Sequence, residues 1–311
     1  MILTITPNPS LDYLFETGRL QWDDANRMDP PRRRPGGQGI NVTRAARALG
    51  ASSVAVALLG GRVGAELADT LSAEGTPFER IDITGETRVF VGARESETGR
   101  SMLLNPGGPH IATEEAQRVS AVVIETIRRL KPKWVAVCGS IPPGLPVELY
   151  AQSGEAARRA GARFVPDCDG DALRLAVQCA DLVVPNRHEA ERLLDVRIDN
   201  VESAGDAARR LTQLGPGLAA ITLGEDGAVL SDGQAIWHAA PARLNSGSAV
   251  GAGDAFLAAL LIEIENNSAL DVALRKAVAA GASVLRSSGS DLLSLEHLQE
   301  IQQNVKARPL V

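Results

Sequence analysis

Apolar and polar positions along this chain follow two alternating periods. Short runs rich in β-branched residues fall at 2–6, 53–58, 134–138, 163–167, 182–184 and 218–223. Between them, apolar residues recur every three to four positions at 39–49, 63–74, 113–130, 147–160, 204–214, 253–265 and 269–286. That spacing lines one face of a helix, whereas the short runs suit buried strands. Strands separated by helices predict βαβ units, a mostly parallel sheet and helical layers on both of its faces. Ligands of such sheets gather at the carboxyl ends of the strands.

Two stretches break the rhythm. Residues 12–34 are polar and charged, with Pro30, Pro31 and Pro35 crowded at their end. Residues 88–104 read as two strands joined by a polar turn at Glu97, Thr98 and Gly99. The sequence therefore predicts an α/β fold of three layers (α/β/α), residues 1–311 forming one unit, with a small β-sheet lid built from these two excursions.

Composition narrows the function. A formal net charge of -6 argues against a general nucleic-acid binder while leaving room for a local basic pocket. No apolar run approaches the ~20 residues of a membrane span. The opening MILTITPNPS reads as a strand and not a targeting segment. Cys138, Cys168 and Cys179 are odd in number and far apart, as expected of reduced cytoplasmic thiols, and no zinc-type spacing occurs.

Three constellations carry candidate chemistry. In the first, Gly251, Ala252 and Gly253 precede Asp254 and an apolar helical run. Small residues opening a helix expose backbone N–H groups at the positive end of its dipole, which holds an anion. Asp254 beside them is either a proton acceptor or the N-cap of the helix. In the second, Pro35-Gly36-Gly37-Gln38-Gly39 leads to Asn41 in a helical first turn. Glycines there permit close approach to a ligand, or simply a flexible connection. In the third, Asn186 and Glu189 stand one helical turn apart, as a magnesium site or as a capping box. Thr222, Gly224 and Gly227 lie between two predicted strands and read as a hairpin turn. Arg27 and Arg88 sit on the two excursions and are candidates for a phosphate, while Arg32, Arg33 and Arg34 read as a solvated turn. Neither glycine cluster carries the third glycine of a dinucleotide fingerprint, and no P-loop or nucleophile elbow is present.

In order and spacing these segments resemble the PfkB-type (ribokinase-like) carbohydrate kinases, in particular their hexose-phosphate group. The resemblance is carried by Thr6-Pro7-Asn8-Pro9-Ser10-Leu11-Asp12, Asn26-Arg27, residues 35–42, Gly85-Glu86-Thr87-Arg88 and residues 105–109. It continues through residues 139–144, 186–189, 222–227 and 251–254, practically the whole chain.

It implies a ribokinase-like fold and ATP-dependent phosphorylation of a ketohexose phosphate. Fructose 6-phosphate is the first choice of acceptor, with fructose 1-phosphate or tagatose 6-phosphate as alternatives. It implies Asp254 as catalytic base, with Gly251, Ala252 and Gly253 as the anion hole. Asp12, Arg27, Gly37, Asn41, Arg88 and Ser140 would hold the sugar phosphate. Thr222, Gly224, Gly227 and Asn186 would serve ATP, and Glu189 with Asn186 would serve Mg2+. K+ is a further candidate cofactor, and a homodimer through the lid strands is the implied assembly. Val184, Gln38, Phe90 and Ala249 depart from residues common in the family, as does Asp291, where a basic residue is sometimes found. A sugar-phosphate-binding regulator without catalysis is the alternative in a different class.

Overall fold

The computed structural model describes residues 1–241, 250–286 and 293–310. In chain order the first elements are β1 (Ile2–Thr6), β2 (Ser10–Thr17), β3 (Arg32–Gly36), α1 (Gln38–Ala48), β4 (Ser53–Leu59) and α2 (Gly61–Ala73). Then come β5 (Phe78–Asp82), β6 (Arg88–Glu95), β7 (Ser101–Leu104), α3 (Thr113–Leu130), β8 (Trp134–Cys138) and α4 (Leu149–Arg159). Next are β9 (Arg163–Asp167), α5 (Gly170–Ala176), β10 (Leu182–Val183), α6 (Arg187–Leu194), α7 (Val201–Thr212) and β11 (Leu218–Thr222). The last are β12 (Ala228–Ser231), β13 (Ile236–Ala240), α8 (Ala252–Glu265), α9 (Leu270–Val284), α10 (Leu295–Asn304) and β14 (Lys306–Leu310).

Five parallel strands run in the order β5-β4-β1-β8-β9. The sheet is extended by β10-β11-β12-β13-β14, of which only the first pair is parallel. Asp181, just before β10, joins the two sets, its N–H donating to the Phe164 carbonyl of β9 at 2.9 Å.

Period-2 alternation explains the layering. In β8, Val135 and Val137 face the core under α3, α4 and α7, whereas Trp134, Ala136 and Cys138 face the core under α1, α8 and α9. Trp134, Tyr150 and Phe164 are among the largest fully buried side chains. Burial of such a side chain stabilises by roughly 1.5–3 kcal/mol. A hydroxyl chain fixes α1 on the sheet: Thr4 Oγ1 to Thr43 Oγ1 at 2.8 Å, then Thr43 to Ser53 Oγ at 3.0 Å.

The lid is a separate four-stranded sheet ordered β3-β2-β6-β7. Its strands begin and end differently from the excursion read at 12–34, since β2 starts at Ser10 and β3 closes at Gly36. One expectation is overturned here. Arg32, Arg33 and Arg34 form strand β3, paired antiparallel with β2, and not a solvated turn. Alternation along β3 leaves Arg33 exposed in an ion pair with Glu66 at 2.8 Å and turns the Arg34 side chain inward, 13% exposed. The last position of the strand, Gly36, has no room for a side chain, since an added Cβ would lie 2.0 Å from Asp12 Oδ1. Among the described residues, no helix is long and apolar enough to cross a membrane.

Candidate active site

The carboxyl ends of β1 and β8, the N-terminus of α8 and the inner face of the lid enclose a cavity of about 450 Å3. Its lining includes Thr6, Asn8, Asp12, Asn41, Arg88 and Asp254, with Gly37, Ser140, Gly251 and Gly253. Residues scattered over most of the sequence therefore meet in one place.

Gly251, at φ 93, is the N-cap of α8, and a non-glycine residue there is strained. Asp254 consequently stands at the third helical position, which overturns the reading of Asp254 as N-cap. The first intrahelical bond runs from Ala255 N–H to the Gly251 carbonyl at 3.0 Å. The N–H groups of Ala252, Gly253 and Asp254 precede it and have no partner within the helix. Gly251 and Gly253 border the cavity, so this positive helix end opens into it. Ala255, Phe256, Leu257, Leu260 and Leu261 are buried against neighbouring elements and hold the helix rigidly.

Asp254 itself is 5% exposed, and Asn41 Nδ2 donates to its Oδ2 at 2.9 Å. Burial pushes its carboxyl up to about 7; the Asn41 hydrogen bond and the Arg34 charge oppose that rise, and the Asp12 charge adds to it. A carboxylate poised near neutral pH is a competent general base.

On the lid side, Asp12 Oδ1 accepts from Ser10 Oγ at 2.6 Å, and its Oδ2 lies 3.7 Å from Arg34 Nε. Burial raises the Asp12 carboxyl, while Ser10, Arg34 and Arg88 draw it down. Arg88 donates through Nη2 to the Asn8 carbonyl at 2.9 Å and through Nη1 to the Pro106 carbonyl at 2.9 Å, and it also meets Asn105 Oδ1. It thus ties the 105–107 loop over the cavity.

Asn8 was quoted in the sequence only as part of a motif, yet it is the hub of this side. Its Nδ2 donates to the Gly107 carbonyl at 2.9 Å and to Ser140 Oγ at 3.0 Å. Among the described residues, Thr6 Oγ1, Asn8 Oδ1 and Asn41 Oδ1 are buried without a hydrogen-bond partner. Unsatisfied buried oxygens around one cavity suit a ligand rich in hydroxyl groups. Phe90 and Gln38 also line the cavity. Arg27 is not brought in: it is exposed on the loop between β2 and β3 and does not line the cavity. Ala249 and Asp291 lie outside the described residues.

On the opposite side, Asn186 and Glu189 form the capping box of α6. Asn186 Oδ1 accepts from Glu189 N–H at 3.0 Å and Glu189 Oε2 accepts from Asn186 N–H at 2.9 Å. The cap engages Oε2, and burial raises the carboxyl. Thr222 bridges to Asn186, which brings the turn with Gly224 and Gly227 beside this pair. That turn is a short 3-10 helix, Gly224–Asp226, whose Asp226 pairs with Arg187 at 3.0 Å. Val184 is buried in the core under α8 and α9, where an apolar side chain fits.

Asp167, the last residue of β9, was not singled out. Burial raises its carboxyl well above the usual range, reinforced by the charges of Asp254 and Glu189. A carboxylate ending a predicted parallel strand was the available signal. Asp167 and Glu189 carry the hard oxygen donors that magnesium prefers, although among the described residues no cluster of three or more His, Cys, Asp or Glu side chains gathers to hold an ion unaided.

Transfer of a phosphoryl group to a hydroxyl needs an anion cradle and a base within reach of each other, and the first turn of α8 places a buried carboxylate beside N–H groups that have no partner within the helix. The molecule is a small-molecule kinase. It belongs to the pfkB family carbohydrate kinases, whose pattern matches residues 12–297. The chain is 30% identical to the 1-phosphofructokinase of Bacillus subtilis (strain 168) over 312 residues, covering 100% of both chains. It is 29% identical to the ATP-dependent 6-phosphofructokinase isozyme 2 of Escherichia coli (strain K12), covering 96% of this chain and 97% of that one. The solved structure of phosphofructokinase-2 from Escherichia coli in complex with potassium is similar at a TM-score of 0.89 and 29% identity, covering 97% of this chain and 98% of that one.

Proposed function

We propose that this kinase phosphorylates a ketohexose phosphate from ATP, with fructose 6-phosphate as the acceptor. The observation carrying the proposal is the position of Asp254, buried at the cavity floor beside the first N–H groups of α8, which have no partner within the helix. Asp254 takes the proton of the acceptor hydroxyl as that oxygen attacks the γ-phosphorus of ATP, and ADP leaves in line. The N–H groups of Ala252, Gly253 and Asp254 receive the charge that develops on the transferring group. Asn41 orients the carboxylate, while Asp12, Asn8 and Gly37 meet the sugar. Arg88 and Ser140 serve its phosphate, and Arg27 is a further candidate for it.

Thr222, Gly224 and Gly227 form the nucleotide side. Glu189 and Asn186 would hold magnesium together with the nucleotide, and the ion would supply neutralisation of phosphate charge. Potassium is carried as a candidate activator because of the similar potassium-bound structure; a rate independent of KCl concentration counts against it. Fructose 1-phosphate is the second reading, favoured by the similarity to the Bacillus subtilis enzyme over the whole chain. Coupled detection of ADP with each sugar phosphate separates the two. No ADP with any of them leaves a binding protein.

Glu189→Gln is expected to raise the magnesium concentration for half-maximal rate several-fold while leaving sugar-phosphate affinity unchanged. If only thermal stability falls, Glu189 is a helix cap and nothing more.

Assembly through the lid rests on its outer edge. Leu103 and Leu104 of edge strand β7 are 53% and 54% exposed, and Trp22 on the β2–β3 loop is 68% exposed. Apolar edge strands favour pairing with another copy. Changing both leucines to glutamate is expected to convert a dimer to a monomer in sedimentation velocity; an unchanged mass contradicts assembly through this edge.

A further inference from the structure

Arg34 is a buried cation that the reaction as described leaves unused. In β3 it stands directly across from Asp12 of β2, and its Nε lies 3.7 Å from Asp12 Oδ2, longer than a hydrogen bond. Among the described residues, its Nε and Nη2 are buried and have no hydrogen-bond partner. Burying guanidinium N–H groups unpaired is costly, so the fold gains little from them locally. Their surroundings account for them better. Arg34 stands beside the buried Asp12, its charge also acts on the buried Asp254, and both carboxylates favour its ionised form.

The Asp12 charge disfavours ionisation of Asp254. Asn41 of α1 donates to Asp254, and Arg44 of α1 and Arg88 of β6 act on Asp12. The Asp254 charge also reaches Cys138 of β8 and Asp167 of β9, and disfavours ionisation of each. Arg34 is the cation whose charge acts on Asp12 and Asp254 together.

We propose that Arg34 is a positioning residue for proton transfer, holding Asp12 and Asp254 ionised together and so setting the lower pH limit of catalysis. The proposal rests on Asp254 being the base. It balances without a further reactant: Asp254 gains the proton of the acceptor hydroxyl, and Arg34 keeps its own protons throughout.

The test compares wild type, Arg34→Met and Arg34→Lys by kcat/KM as a function of pH. It is joined to a titration of the Asp254 carboxyl by carbon-13 NMR, the signal assigned by its loss in Asp254→Asn. Removing the charge is expected to move the acid limb and the carboxyl titration upward together by about one pH unit or more. Arg34→Lys is expected to move both by less. An acid limb and a carboxyl titration that stay in place in Arg34→Met overturn the proposal, whether stability falls or KM for the sugar phosphate rises. The carboxyl titration decides the matter even in an inactive variant, and Arg34→Gln replaces Arg34→Met where the latter does not fold. Full activity in Asp254→Asn is the separate result that removes the base reading itself.

Discussion

Asp254→Asn is expected to lower kcat by roughly two to four orders of magnitude, the range for loss of a general base, with sugar-phosphate affinity little changed. The same substitution is expected to stabilise the protein above neutral pH. Asp254 has a folded-state pKa of about 7, above its ordinary value of 3.8, so folding favours the protonated form. That stabilisation is complete below the ordinary value and is lost as pH rises through about 7. An amide cannot ionise, so the variant escapes this loss, by up to about 4 kcal/mol at alkaline pH. Thermal melts at pH 5.5 and pH 8.5 read the difference: the gain in Tm belongs at the higher pH. In wild type, kcat/KM is expected to fall below about pH 7 as the base is protonated. Near-normal kcat in a folded variant, with equal melting at both pH values, would reduce Asp254 to a structural residue.

Arg88→Ala carries the second large effect. Its guanidinium spans the Asn8 carbonyl and the 105–107 loop at the cavity rim. Removing charge-assisted hydrogen bonds worth on the order of 1.5–3 kcal/mol is expected to raise KM for the sugar phosphate about tenfold to a hundredfold. KM for ATP should stay within about twofold, because the side proposed for the nucleotide is α6 and the Thr222 turn. Arg27, exposed and outside the cavity of one chain, is expected to cost less when changed to alanine. Equal rises in both KM values would assign Arg88 to the general stability of the lid.

Much of the fold was legible because each central strand is a short apolar run and each long helix a clear 3.6-residue pattern. Boundaries moved by a residue or two, as at α1, read from Gly39 and observed from Gln38. Strands β5, β13 and β14 were missed, and so were the short helices α5 and α10, while β12 was expected only as the strand after the Thr222 turn. The charged run at Arg32–Arg34 misled for a physical reason: three arginines in a row look solvated, but strand alternation sends every second side chain inward.

Asp254 and the glycine loop before it were legible as a candidate site from local pattern. Asn8, Asp167 and Arg34 were not, since their importance comes from neighbours distant in sequence: Ser140, Glu189 and Asp254. The choice between N-cap and base at Asp254 also needed coordinates. It turns on Gly251 taking the cap, a difference of three residues that no spacing rule resolves.

The measurement that tests the central claim most directly is steady-state ADP formation by the wild-type protein with ATP and Mg2+. The acceptors are fructose 6-phosphate, fructose 1-phosphate, tagatose 6-phosphate and unphosphorylated fructose. The account predicts turnover of a ketohexose phosphate, fructose 6-phosphate foremost, with kcat/KM at least about a hundredfold above that for free fructose, because the phosphate contacts would otherwise go unmade. Comparable turnover of free fructose, or no ADP above background with any phosphorylated sugar, would contradict it.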